Sequence, residues 1–131
     1  MDDKIRVLCA YRLNKAKEDL DTAKIALNHN KCSQSVNRSY YAIFHAVRAL
    51  LAVERFDSKK HSAIISQFNQ LYIATGKIDK EYYKLLASAF DIRNKSDYHN
   101  MVSHQVCLSP AYLLLVSCNL NFYFSIFSFS I

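Results

Sequence analysis

Arg93, Asn94 and His99 are the residues of this chain best suited to chemistry on a phosphodiester, and they share one short run, Arg93-Asn94-Lys95-Ser96-Asp97-Tyr98-His99. Arginine carries a fixed charge and a planar fork of donors that matches phosphate oxygens. Histidine exchanges a proton near neutral pH. RNA breaks when its own 2′-hydroxyl attacks the adjacent phosphorus. That step needs a base for the hydroxyl proton and an acid for the leaving 5′-oxygen. A placed histidine contributes about 10²–10⁴-fold to such a transfer, and a fixed cation stabilises the charge that develops on the phosphate. Asn94 can orient an oxygen or the imidazole. No carboxylate cluster accompanies the run, so the chemistry calls for no metal and no cofactor.

Arg38, Tyr41, Lys95, Asp97 and Tyr98 are the candidate substrate-side residues. Each element also has a plainer reading. Arg93 can pair with Asp97 one helical turn on. Tyr40 and Tyr41 can be core or interface aromatics, Arg38 and Arg48 helix-surface charges, and Lys59-Lys60 a solvated pair. His45 and His61 read as packed or capping histidines. The spacing sets a further condition, because six helical steps place His99 about 240° around from Arg93. The helix must end or distort near Ser96, or the pair must form across a homodimer whose symmetry brings two copies of the run to one groove.

The elements that position these residues are helical. The chain has 131 residues, 51% of them hydrophobic, which is enough for one ordered domain with a single core. One glycine, Gly76, and one proline, Pro110, leave room for long helices and short turns. A single glycine also excludes glycine-rich phosphate loops and dinucleotide folds. The net charge of +6 suits an acidic partner such as RNA. Cys9, Cys32, Cys107 and Cys118 are widely spread, which argues against zinc and fits a reducing, cytoplasmic setting. Met1-Asp2-Asp3-Lys4 opens without an apolar run and does not read as a secretory signal.

Apolar periodicity predicts a first helix over about Lys4 to Leu27, closed by Asn28-His29-Asn30. A second, apolar nearly all round and therefore central, covers about Cys32 to Glu54. Arg55-Phe56-Asp57 makes a turn with Asp57 or Ser58 as N-cap, and a third helix follows from about Lys59 to Thr75. Gly76 fits a left-handed C-terminal cap. Asp79 can cap a fourth helix from about Lys80 to Ser96. The fold class is thus all-α, an up-and-down bundle of four to five helices.

Every formal charge lies in the first 97 residues, and Tyr98 to Ile131 contains no Asp, Glu, Lys or Arg. The chain therefore divides into a helical bundle, 1–98, and a charge-free apolar segment, 99–131. The segment has three readings: a final helix packed on the bundle or a partner, a weak membrane anchor, or non-homologous sequence from a shifted reading frame. Its length is near that of a membrane span, but its asparagines and the lack of immediately flanking basic residues weigh against a membrane. The third reading would remove His99 from the chemistry.

The chain resembles the HEPN family of small helical domains. The resemblance runs from about Arg12 to Tyr98. It rests on Ala16-Lys17-Glu18-Asp19-Leu20, Arg38-Ser39-Tyr40-Tyr41-Ala42-Ile43-Phe44-His45-Ala46, Lys60-His61-Ser62, Phe68, Gly76, and Arg93 with Ser96-Asp97-Tyr98. It implies a four- to five-helix bundle, commonly a homodimer. Many members are metal-independent ribonucleases with an arginine, a polar residue after it and a histidine four to six residues beyond, a pattern that Arg93, Asn94 and His99 match. Others are non-catalytic modules that bind a nucleotide or a partner. Many are paired with a minimal nucleotidyltransferase as toxin and antitoxin. Three functions follow as expectations: a toxin-type endoribonuclease acting on RNA, a non-catalytic nucleotide-binding or nucleotidyltransferase-partner module, and a membrane-tethered helical protein.

Overall fold

A computed structural model describes the backbone of residues 2–98 and the side chains of residues 2–94. His99, the charge-free segment, Cys107, Cys118 and the side chains of Lys95, Asp97 and Tyr98 lie outside the described residues.

Four α-helices follow one another: α1 (Asp3–Asn28), α2 (Cys32–Val53), α3 (His61–Phe68) and α4 (Lys80–Tyr98), with a π-helical turn, Asn69–Ile73, continuing α3. Among the described residues there is no strand. Asp2 caps α1 by accepting from Lys4 N at 3.0 Å. The end of α1 is a Schellman turn: Asn30 takes φ 58°, Lys31 N donates to Ala26 O at 2.8 Å, and Asn30 N donates to Leu27 O at 3.1 Å. The end of α2 repeats this device with Arg55 at φ 57° and Phe56 N donating to Leu51 O at 3.1 Å. Gly76, at φ 75°, closes the third segment. Two of the three left-handed closures thus use a side chain that costs about 1–2 kcal/mol there. Phe56 offsets part of this by packing against the core as the residue after the turn.

α2 is central and packs on α1, α3 and α4. Ala42, Ala46 and Ala49 are fully buried and let its neighbours approach closely. Around them Leu20, Tyr40, Val47, Leu50, Ile64, Phe68, Tyr72 and Leu86 form one continuous core.

The third helix departs from the single run expected over Lys59 to Thr75. It begins at His61 because Asp57 does not cap it. Arg12 and Arg48 take the Asp57 carboxylate instead, and Ser58 Oγ accepts from Lys60 N at 3.1 Å. It then widens, with Ala74 N donating to Asn69 O at 2.8 Å, the i→i+5 bond of a π turn. Tyr72 within this turn is buried, and its hydroxyl donates to Glu54 Oε1 at 3.0 Å. Asp79 caps α4, accepting from Glu81 N at 3.0 Å. α4 stays α-helical through Tyr98. It neither ends nor distorts at Ser96.

Candidate functional site

Where α2 and α4 cross, the Arg93 guanidinium lies on a platform made by neighbouring tyrosines. Its Cζ is 5.2 Å from the ring centroids of both Tyr40 and Tyr41. Its Nη2 donates to the Tyr41 hydroxyl at 3.3 Å. The two rings meet edge to face at 5.3 Å, so a planar cation can contact both. Each such contact stabilises by about 1 kcal/mol when partly desolvated. Asn94 follows on α4, half-buried.

Tyr41 also carries a second cation, with Arg38 Cζ 5.1 Å from its centroid. Arg38 Nη1 bonds Asp19 Oδ1 at 2.9 Å, and Arg38 Nη2 bonds Asn37 Oδ1 at 2.9 Å. Asp19 is only 3% exposed. Its Oδ2 makes no hydrogen bond and lies 3.6 Å from His45 Nε2. His45 stacks on Tyr41 at 5.7 Å. The outer side of Arg38 lines a shallow groove of about 400 Å³ with Thr22, Ser33, Gln34 and Asn37.

Tyr40 links this platform to a second, larger opening. It is fully buried, and its hydroxyl lies 2.7 Å from His61 Nδ1. The His61 ring stacks on Phe44 at 4.2 Å and on Tyr40 at 5.7 Å. His61 lines an open cleft of about 530 Å³ together with Phe44, Arg48, Asp57, Ser58 and Lys59. One wall of the cleft is a clasp: Arg48 Nη2 reaches both Asp57 oxygens at 2.8 Å, and Arg12 Nη2 reaches Oδ2 at 2.9 Å. Burial works against the Asp57 charge. The Arg48 bonds, the Ser58 N–H and the two guanidinium charges outweigh it and hold the carboxyl below its ordinary value.

The titrating groups of the site are pushed toward neutrality. Burial raises the Tyr40 phenol well above its ordinary value, with the Arg93 charge pulling part of the way back. Burial lowers His61, and Arg93 and then Arg48 lower it further. Burial also lowers His45, against the opposing pull of Asp19. A histidine whose folded pKa is depressed stabilises the fold fully above its unfolded value of about 6.5, and that contribution is lost as pH falls through the folded pKa. Thermal unfolding followed by circular dichroism should therefore give a flat midpoint from pH 7 to 8 and a falling one below about 6.5. His61→Gln should flatten part of that fall.

Of the residues singled out by sequence, Arg93, Tyr41 and Arg38 come together, both guanidinium groups lying against the Tyr41 ring, and Asn94 follows Arg93 on α4. Lys95, Asp97 and Tyr98 side chains and His99 lie outside the described residues. Sequence reasoning gives His61 only a packing or capping role and gives Asp19 no role beyond its place in the family resemblance. The available signal for His61 was Lys60-His61-Ser62, directly after a turn and ahead of an apolar run. Among the described residues no group of three His, Cys, Asp or Glu side chains gathers to hold a metal, and no helix is long and apolar enough to cross a membrane.

Comparison with known proteins gives a consistent picture. The HEPN domain family matches residues 9–109. A UPF0332 protein of Thermotoga maritima is 35% identical over 105 residues, covering 80% of this chain and 79% of that protein. UPF0332 protein glr0978 of Gloeobacter violaceus is 36% identical over 92 residues, 70% of this chain and 73% of its own. The Methanocaldococcus jannaschii protein named "Putative toxin MJ0605" is 35% identical over 83 residues, 63% of this chain and 62% of its own. No solved structure gives a significant match.

Proposed function

The chain belongs to the HEPN domain family, and from that membership we propose that it is a toxin-type, metal-independent endoribonuclease. The observation that carries this reading is the Arg93 guanidinium braced by Tyr40 and Tyr41, with Tyr40 joined in turn to His61 on the wall of an open cleft that Arg48 and Lys59 also line. Arg93 binds the scissile phosphate and its developing charge. Asn94 orients a non-bridging oxygen, and His99 transfers a proton to the leaving 5′-oxygen. Tyr41 and Arg38 flank the phosphate site, with Lys95, Asp97 and Tyr98 on the substrate side. The products are a 2′,3′-cyclic phosphate and a 5′-hydroxyl.

Three further points support the reading. The family match extends past Tyr98 and includes His99. A relative bears the name "Putative toxin MJ0605". The net charge of +6 favours a polyanion. We take the active form as a homodimer, whose two-fold symmetry can bring two copies of the run to one groove. A minimal nucleotidyltransferase acts as antitoxin, and both work in the cytoplasm.

The purified full chain should cut RNA in EDTA and leave cyclic-phosphate ends. His99→Ala should lower kcat by at least about 100-fold. Wild-type cutting by that variant would remove His99 from the mechanism. No cutting of any RNA by the wild type, with a stable nucleotidyltransferase complex, would leave the non-catalytic partner module instead.

A further inference from the structure

We propose that His61 is a second proton-transfer residue of this site, taking the 2′-hydroxyl proton of the RNA while Arg93 holds the phosphate. The inference rests on the ribonuclease reading above and adds the base that reading leaves unassigned.

A general base must be held in place, open to substrate and close to the group that binds the reacting atom. His61 meets each requirement. Its ring is fixed between the Phe44 face at 4.2 Å and the Tyr40 hydroxyl at 2.7 Å from Nδ1. For Nε2 to act as base, Nδ1–H donates to the Tyr40 oxygen, and this anchoring hydrogen bond leaves the Nε2 lone pair for a substrate. His61 borders the cleft of about 530 Å³, where Arg48 and Lys59 can meet the phosphates that flank the scissile one. His61 and Arg93 also share one support, since both lie against the ring of Tyr40.

The charged and titratable groups around the ring favour a neutral base. They are Tyr40 and Arg48 from α2, Arg93 from α4, and Asp57, Lys59 and Lys60 from the segment before α3. The one carboxylate among them, Asp57, is already held by Arg12 and Arg48. A plain packing histidine would share the Phe44 contact. It would have no reason to line an open cleft with Arg48 and Lys59 while sharing the Tyr40 ring with Arg93.

The bond from the 2′-oxygen to phosphorus forms and the bond from phosphorus to the 5′-oxygen breaks. The 2′-hydroxyl proton passes to His61 Nε2, and the leaving 5′-oxygen takes a proton from His99. Exchange with water then resets both imidazoles.

The test compares wild type, His61→Gln, His61→Asn and His99→Ala in EDTA on two substrates: ordinary RNA and RNA whose scissile 5′-bridging oxygen is replaced by sulfur, a leaving group that needs no acid. Both His61 variants should lose at least about 100-fold in kcat on both substrates, with KM little changed and the acidic limb of the pH–rate profile gone. His99→Ala should recover on the sulfur substrate. His61→Gln that keeps wild-type kcat and the acidic limb overturns the proposal and leaves the ribonuclease intact. Recovery of the His61 variants on the sulfur substrate also overturns it, by making His61 the acid. A wild type that cuts neither substrate defeats the ribonuclease reading itself, and this one with it. If circular dichroism shows that neither His61 variant folds, Tyr40→Phe removes the anchoring hydroxyl alone. It should lower kcat and shift the acidic limb, and an unchanged profile overturns the proposal.

Discussion

Arg93→Ala should lower the RNA-cleaving kcat by at least about 100-fold, the usual effect of removing one preorganised group that stabilises transition-state charge. The bundle should stay folded. Arg93 is half-buried on the tyrosine platform, so its loss costs about 1–2 kcal/mol of cation–π contact. Arg93→Lys separates charge from shape. An ammonium is a point charge that cannot span two rings and offer a planar fork at once, so lysine should restore only a minor part of the rate. Measuring kcat and KM separately makes the outcome decisive. A raised KM with an unchanged kcat would show that Arg93 binds RNA equally in ground and transition states, and would remove its role at the developing charge.

Arg38→Ala should destabilise the fold by about 3 kcal/mol, because it leaves the Asp19 carboxylate buried without its cation. That would lower the unfolding midpoint by on the order of 10 °C or more. Asp19→Asn should cost less. Arg38 is 36% exposed at its side chain against 5% for Asp19, so the arginine left behind can turn to water and the aspartate cannot. His45 adds a signature that a simple packing loss would lack. Arg38 is one of the positive charges that hold His45 down, and Asp19 alone pulls it up. Without Arg38, His45 protonates more readily beside Asp19, so the variant should lose less stability than the wild type on going from pH 7 to 6. Equal costs for Asp19→Asn and Arg38→Ala in chemical denaturation would contradict this account.

The parts of the fold written in local chemistry were legible in the sequence. Gly76, Asp79 and the closing Asn28-His29-Asn30 announce their own turns, and the nearly all-apolar second helix announces that it is central. Asp57 was not legible. An aspartate ahead of a helix normally caps it, and only the tertiary approach of Arg12 and Arg48 diverts its carboxylate. Asp19 was hidden for a similar reason. Among Lys17, Glu18 and Asp21 it looks like part of a solvated face, and its burial depends on Arg38 from another helix. The candidate site divides the same way. Arg93 and the tyrosine pair stand out as residue types, whereas the tie of His61 to Tyr40 joins positions 21 residues apart on different elements, a link that no periodicity encodes.

The widened turn at Asn69–Ile73 has a consequence for length variation. Elsewhere in the bundle, deleting a residue rotates everything downstream by about 100° and swaps inside for outside. Here the turn already holds one residue more than a regular helix needs. Losing it would restore ordinary winding while the Gly76 bend and the start of α4 stay in phase. Relatives of this chain that differ in length by a single residue should carry their gaps at this turn, where evolution can add or remove a link without disturbing the rest.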